Sequence, residues 1–116
     1  MMTFNYIQLD YLELMADGDE DMKQTMLEML LEELPEELQK MRAHTDAKEW
    51  EELSHVSHKM KSTLSFVGYP QMVDANKELE LLAKHKENHR RMATLMNLLE
   101  KHYSEVLPEL KSVFKG

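Results

Sequence analysis

Cysteine is absent from the 116 residues, which removes disulfides, thiolate metal sites and cysteine nucleophiles together. Glycine and proline are scarce, three of each, so there is little room for turn-rich β architecture and few, long elements are expected. No stretch approaches the roughly 20 apolar residues of a membrane span. The opening Met1-Met2-Thr3-Phe4-Asn5-Tyr6 lacks the basic-then-apolar pattern of a signal peptide, so no membrane association and a cytoplasmic location are expected. Positive charge is also in deficit: 14 Lys and Arg against 22 Asp and Glu leave a net charge of −8. That balance disfavours nucleic acid and anionic lipid as partners. What is present, 42% hydrophobic and 31% charged residues, suits one globular domain over residues 1–116 with its own core.

The apolar pattern predicts helices throughout. Ile7, Tyr11, Leu12, Leu14 and Met15 recur at helical spacing, and Asn5 with Gln8 has the form of a capping box, predicting a short helix over Asn5 to Ala16. Asp17-Gly18-Asp19 breaks it. A second helix, about Glu20 to His44, carries Leu27, Leu30, Leu34, Leu38 and Met41 on one face. Pro35 should kink it without ending it, because the stripe resumes in phase at Leu38. The methionines at 22, 26 and 29 exceed what one stripe needs; contact with the first helix and an exposed docking patch are the two roles open to them. Thr45 to Ala47 reads as a turn, with Asp46 and Glu49 at capping-box spacing before a third helix.

In that third helix Trp50, Leu53, Ser57, Met60, Leu64 and Val67 alternate steps of three and four, a seam buried in a bundle. Gly68 ends it, and Pro70 fits the first turn of a fourth helix whose apolar face uses Met72, Val73, Ala75, Leu79 and Leu82 to about Lys86. After a polar, locally basic turn from His85 to Arg91, Asn88 is placed to cap a long fifth helix that Pro108 bends. No strand signal and no repeat intervenes. Short turns between long helices make neighbours antiparallel, so the expected fold is all-α, an up-down four-helix bundle with a short additional N-terminal helix.

Phase on the third helix separates its two histidines. At about 100° per residue, His58 lies roughly 130° from the middle of the seam and so points outward. Glu51, Ser54, His55, Lys61, Ser62 and Ser65 all fall within about 60° of it. Imidazole is the strongest neutral nucleophile in a cysteine-free chain. A phosphoryl group on such a ring would need a nearby cation, and Lys61, three positions on, can supply it. The short side chains of Ser54, Ser62 and Ser65 would leave room for a partner's active site to approach in line. An outward histidine followed by a lysine is, taken alone, most often a solvated helix face.

His58-x-x-Lys61-Ser62, with Gly68 ten residues after the histidine, resembles the signature of the histidine-containing phosphotransfer domain, H-x-x-K-G with a later glycine. The likeness spans nearly the whole chain: a short first helix before Gly18-Asp19, a Leu- and Glu-rich second helix with a Pro-Glu step, and a Trp-Glu-Glu-Leu entry into the third. The resemblance implies a phosphorelay carrier without turnover of its own. His58 would accept a phosphoryl group from a receiver-domain aspartate and pass it to another receiver, with Lys61 stabilising the charge. Response-regulator receivers, that of a hybrid sensor kinase among them, would be the partners, docking over Glu51, Ser54, His55, Ser62 and Ser65. No cofactor is implied for the chain itself; the receiver would bring Mg2+. Ser62 stands where the family most often has glycine, which slightly restricts how closely a partner backbone can approach. The competing reading is a helical adaptor or scaffold that binds receivers or other partners without carrying phosphate.

Other features read as structural. Glu52-x-x-His55 is half of a carboxylate-bridged iron motif with no second half in the sequence, so no metal site is expected. His44, His85, His89 and His102 read as surface residues, the remaining methionines as core filler, and Lys84 to Arg91 as a solvated turn.

Overall fold

The computed structural model describes residues 4–115. Five helices occur among the described residues: α1 (Asp10–Ala16), α2 (Glu20–Asp46), α3 (Trp50–Val67), α4 (Pro70–His85) and α5 (His89–Val113). No strand occurs among the described residues. The molecule measures 43 × 22 × 20 Å. The 27 residues of α2 span about 40 Å at 1.5 Å per residue, so one helix sets the long dimension.

α2 packs on α3 and α5, and α4 packs on α3 and α5, so the four long helices close a ring. Their inward stripes merge into one core that includes Leu34, Met41, Met60, Leu79, Met96 and Leu99. α2 and α5 both run unbroken through their internal prolines, Pro35 and Pro108. α1 rests against α2 and α3.

The helix boundaries follow local chemistry at most points. The Asp19 side chain accepts from the Met22 amide and starts α2. Asn88 accepts from the Arg91 amide and starts α5. Gly68, at φ +72°, closes α3 in the left-handed region, and Pro70 opens α4.

Two capping boxes expected from spacing do not form. α1 begins at Asp10, not at Asn5, and its cap position Leu9 makes no side-chain cap bond. The amides of Asn5, Tyr6 and Ile7 donate instead to the carboxylate of Glu109 on α5, at 2.9 to 3.0 Å. The Gln8 amide donates to the Val67 carbonyl. Tertiary partners therefore take the amides that a helix would have used. The shortened α1 buries only Leu12 and Ala16, leaving Tyr11, Leu14 and Met15 exposed. At the other site α2 continues to Asp46, where Asp46 pairs with Arg42 and Glu49 bonds His44, so neither side chain caps α3. On α4, Val73 is exposed, and Asn76 occupies the buried stripe beside Ala75 and Leu79.

Candidate functional site

α3 and α4 are joined by the turn at Gly68 and Tyr69 and are locked side by side by a buried polar pair. The Ser57 hydroxyl lies 2.7 Å from the Asn76 side-chain oxygen, and the Asn76 amide nitrogen donates to the Ser57 carbonyl at 2.9 Å. Both residues are buried, so these mutual bonds satisfy groups that would otherwise be costly to bury. The next residue after Ser57 is His58. The lock thus fixes where the His58 ring emerges.

His58 is exposed, its side chain retaining 66% of its accessible surface. Its Nδ1 lies 2.9 Å from Oε2 of Glu80 on α4. A carboxylate only accepts, so Nδ1 carries the proton and Nε2 keeps its lone pair facing solvent. The other Glu80 oxygen, Oε1, is buried. The Lys61 ammonium stands 3.1 Å from it, too oblique for a hydrogen bond and acting as an ion pair. Burial pushes the Glu80 carboxyl up, but the His58 hydrogen bond and the nearby Lys61 ammonium outweigh it and hold the group below the ordinary glutamate value. One carboxylate therefore orients the His58 ring and holds the Lys61 cation beside it.

The structure keeps Glu51, His55, Ser62 and Ser65 exposed on α3 along with His58 and Lys61. Ser54 departs from expectation: it is buried, because it lies on the α4 side of the strip and forms part of the floor between the two helices. The Ser65 hydroxyl turns back to the Lys61 carbonyl at 2.8 Å. A recess of about 610 Å³ opens beside His58, lined by Glu51, Ser54, His55, His58, Lys59, Glu80, Lys84 and Lys86. Among the described residues no group of three or more His, Asp and Glu side chains is arranged to hold a metal ion. His102 is not a surface residue: its side chain is 14% exposed, bonded to Glu105 and edge-on to Tyr69.

The all-helical ring thus presents one oriented imidazole beside one held lysine. The chain belongs to the Hpt domain family, whose pattern matches residues 25–109. It is thus a phosphotransfer carrier of phosphorelay signalling, a class that works with the receiver domains of response regulators. The fold is shared with the histidine-containing phosphotransfer protein B (HptB) of Pseudomonas aeruginosa PAO1. That crystal structure superposes with a TM-score of 0.83 at 23% identity, over 95% of each chain. Comparison with curated proteins gave no match. No helix of the described residues is long and apolar enough to cross a membrane.

Proposed function

We propose that His58 is the phosphoryl carrier, on a single domain over residues 1–116 built as an antiparallel up-down four-helix bundle with α1 as an added helix. The observation that carries this is the engagement of Nδ1 by Glu80, which leaves Nε2 as the attacking atom. In the forward step the Nε2 lone pair attacks the phosphorus of a receiver's aspartyl phosphate. The N–P bond forms as the P–O bond breaks, and its electron pair returns to the receiver carboxylate. Nδ1 keeps its proton throughout, so no base on this chain is required. The resulting phosphoimidazolium is balanced by Glu80 on the ring side and by Lys61 at the phosphoryl oxygens. The reverse step delivers the group to a second receiver.

The chain supplies nucleophile, cation and access, and the receiver, that of a hybrid sensor kinase included, supplies Mg2+ and completes catalysis. Glu51, His55, Ser62 and Ser65 form the contact surface around the ring, with no cofactor resident on this chain. Ser62 in place of glycine adds a hydroxyl within reach of the phosphoryl oxygens.

Purified protein incubated with phosphorylated receivers should gain an acid-labile, alkali-stable label. His58→Gln should abolish the label and His55→Gln should retain it. Absence of label on the wild type across a receiver panel would leave a receiver-binding adaptor, and the opposite result for the two variants would move the carrier to His55.

A further inference from the structure

The basic turn at the end of α4 borders the recess beside His58. Lys84 near the end of α4, and Lys86 at its left-handed cap, line the same recess as His58, with Lys59 of α3 on the facing wall. All three are exposed. None has a carboxylate within ion-pair distance among the described residues; Lys48, Lys77, Arg90, Lys101 and Lys111 share that state, but they do not line the recess. In a chain of net charge −8, three uncompensated cations around one recess make a local field opposite in sign to that of the whole molecule. Glu51 is the one carboxylate on the rim, and Glu80, on the floor, is already committed to His58 and Lys61.

We propose that Lys59, Lys84 and Lys86 form a receiver-discriminating rim, engaging acidic side chains that border the receiver's phosphorylation site on the side facing the end of α4. This rests on the assignment of His58 as carrier. The phosphoryl donor and acceptor are both anionic aspartyl sites, so a partner must bring negative charge to His58, and a rim of the opposite sign accelerates that encounter. The remaining acidic surface repels it in other orientations. Exposed charges of this kind act on encounter and on choice of partner more than on the chemical step. The rim therefore selects receivers with acidic residues next to the acceptor aspartate, and disfavours those with basic residues there.

The test compares wild type, Lys84→Glu/Lys86→Glu and Lys59→Glu for transfer from phosphorylated receivers at low and high salt, and for labelling by phosphoramidate, a small donor with no docking surface. The expected result is a loss of about tenfold or more in kcat/KM for receivers at low salt. The loss should lie in KM, shrink at roughly 0.5 M salt where screening is within a few ångströms, and be restored by Lys84→Arg/Lys86→Arg. Phosphoramidate labelling should be unchanged. Lys59→Glu reads the same rim from α3 without touching the α4 cap. If wild type is labelled but charge reversal leaves receiver kinetics and their salt dependence unaltered, the rim has no such role. Equal slowing with phosphoramidate would also overturn it, by tracing the effect to His58 itself. Failure of both phosphorylated receivers and phosphoramidate to label wild type would overturn the carrier assignment, and the rim with it.

Discussion

A carboxylate that accepts from Nδ1 of His58 does two things to the ring: it selects the tautomer and it favours positive charge as the N–P bond forms. Glu80 does both while holding Lys61. Its removal should therefore be felt at the ring before it is felt in the fold. For Glu80→Ala, transfer from a receiver should slow about tenfold, the scale of one charge-assisted hydrogen bond discounted for an exposed partner. Nitrogen-15 NMR of His58 should change from one dominant Nδ1–H tautomer to a mixture. Glu80→Gln, which keeps an acceptor and loses the charge, should preserve the tautomer and slow transfer less. A wild-type tautomer and rate in Glu80→Ala would take Glu80 out of the site. The sequence exposed His58 and Lys61 because helical phase and local spacing suffice for residues on one element. Glu80 was hidden because it lies on another helix and looks like any other glutamate of α4. Its one legible signal is register: His58 and Glu80 stand equally far along the chain from Tyr69, on either side of the turn that folds α4 back on α3.

Most helix ends were legible where the deciding partner is local, the Asp46 and Glu49 spacing before α3 excepted, and lost where a distant partner intervenes. Asp19, Asn88, Gly68 and Pro70 act on their own helix ends, and each was readable from residue type and spacing. Asn5 and Gln8 had the right spacing for a cap, but Glu109 and Val67 claimed the amides from far along the chain. Ser54 falls in the outward arc by phase, yet it is buried at the recess shared with Glu80 and Lys84 of α4, and the side on which a neighbouring helix packs is not written in the period of one helix. Gly68 joins both kinds of constraint. Beyond its positive φ, a Cβ there would stand 1.9 Å from the Gln8 carbonyl oxygen, a backbone atom that cannot swing aside as a side chain would. Gly68→Ala should cost at least about 2 kcal/mol, combining left-handed strain with displacement of the 4–9 segment. At about 4 °C per kcal/mol for a chain of this length, the thermal midpoint followed by circular dichroism should fall by roughly 8 °C or more. An unchanged midpoint would mean that the segment yields without cost.

At the scale of the whole molecule, the ring of four helices is tied to its N-terminal segment by the Gln8–Val67 backbone bond and by one carboxylate, Glu109, that takes three amides. Burial pushes the Glu109 carboxyl up, but the amide bonds from Ile7, Asn5 and Tyr6 outweigh it and hold the group below the ordinary glutamate value. Tyr6 and Glu105 are the other titratable groups beside it. A carboxyl lowered in the folded state binds fewer protons there than in the unfolded chain. Its contribution to stability is therefore complete above the unfolded value of about 4.3 and is lost as pH falls through the folded one. Other glutamates lowered by their partners, Glu80 and Glu78 among them, act in the same direction, so acid sensitivity of the wild type alone assigns nothing to Glu109. The informative quantity is the difference from Glu109→Gln, which keeps one acceptor oxygen and loses the second oxygen and the charge. Urea unfolding should show wild type more stable than the variant at pH 7, with the gap narrowing steadily below about pH 4.3. Amide exchange at Asn5, Tyr6 and Ile7 should accelerate in the variant at neutral pH while the amides of α2 to α5 stay protected. A gap that persists undiminished in acid would mean that shape, not charge, holds the segment, and that the three amides dock as well on the neutral carboxyl as on the carboxylate.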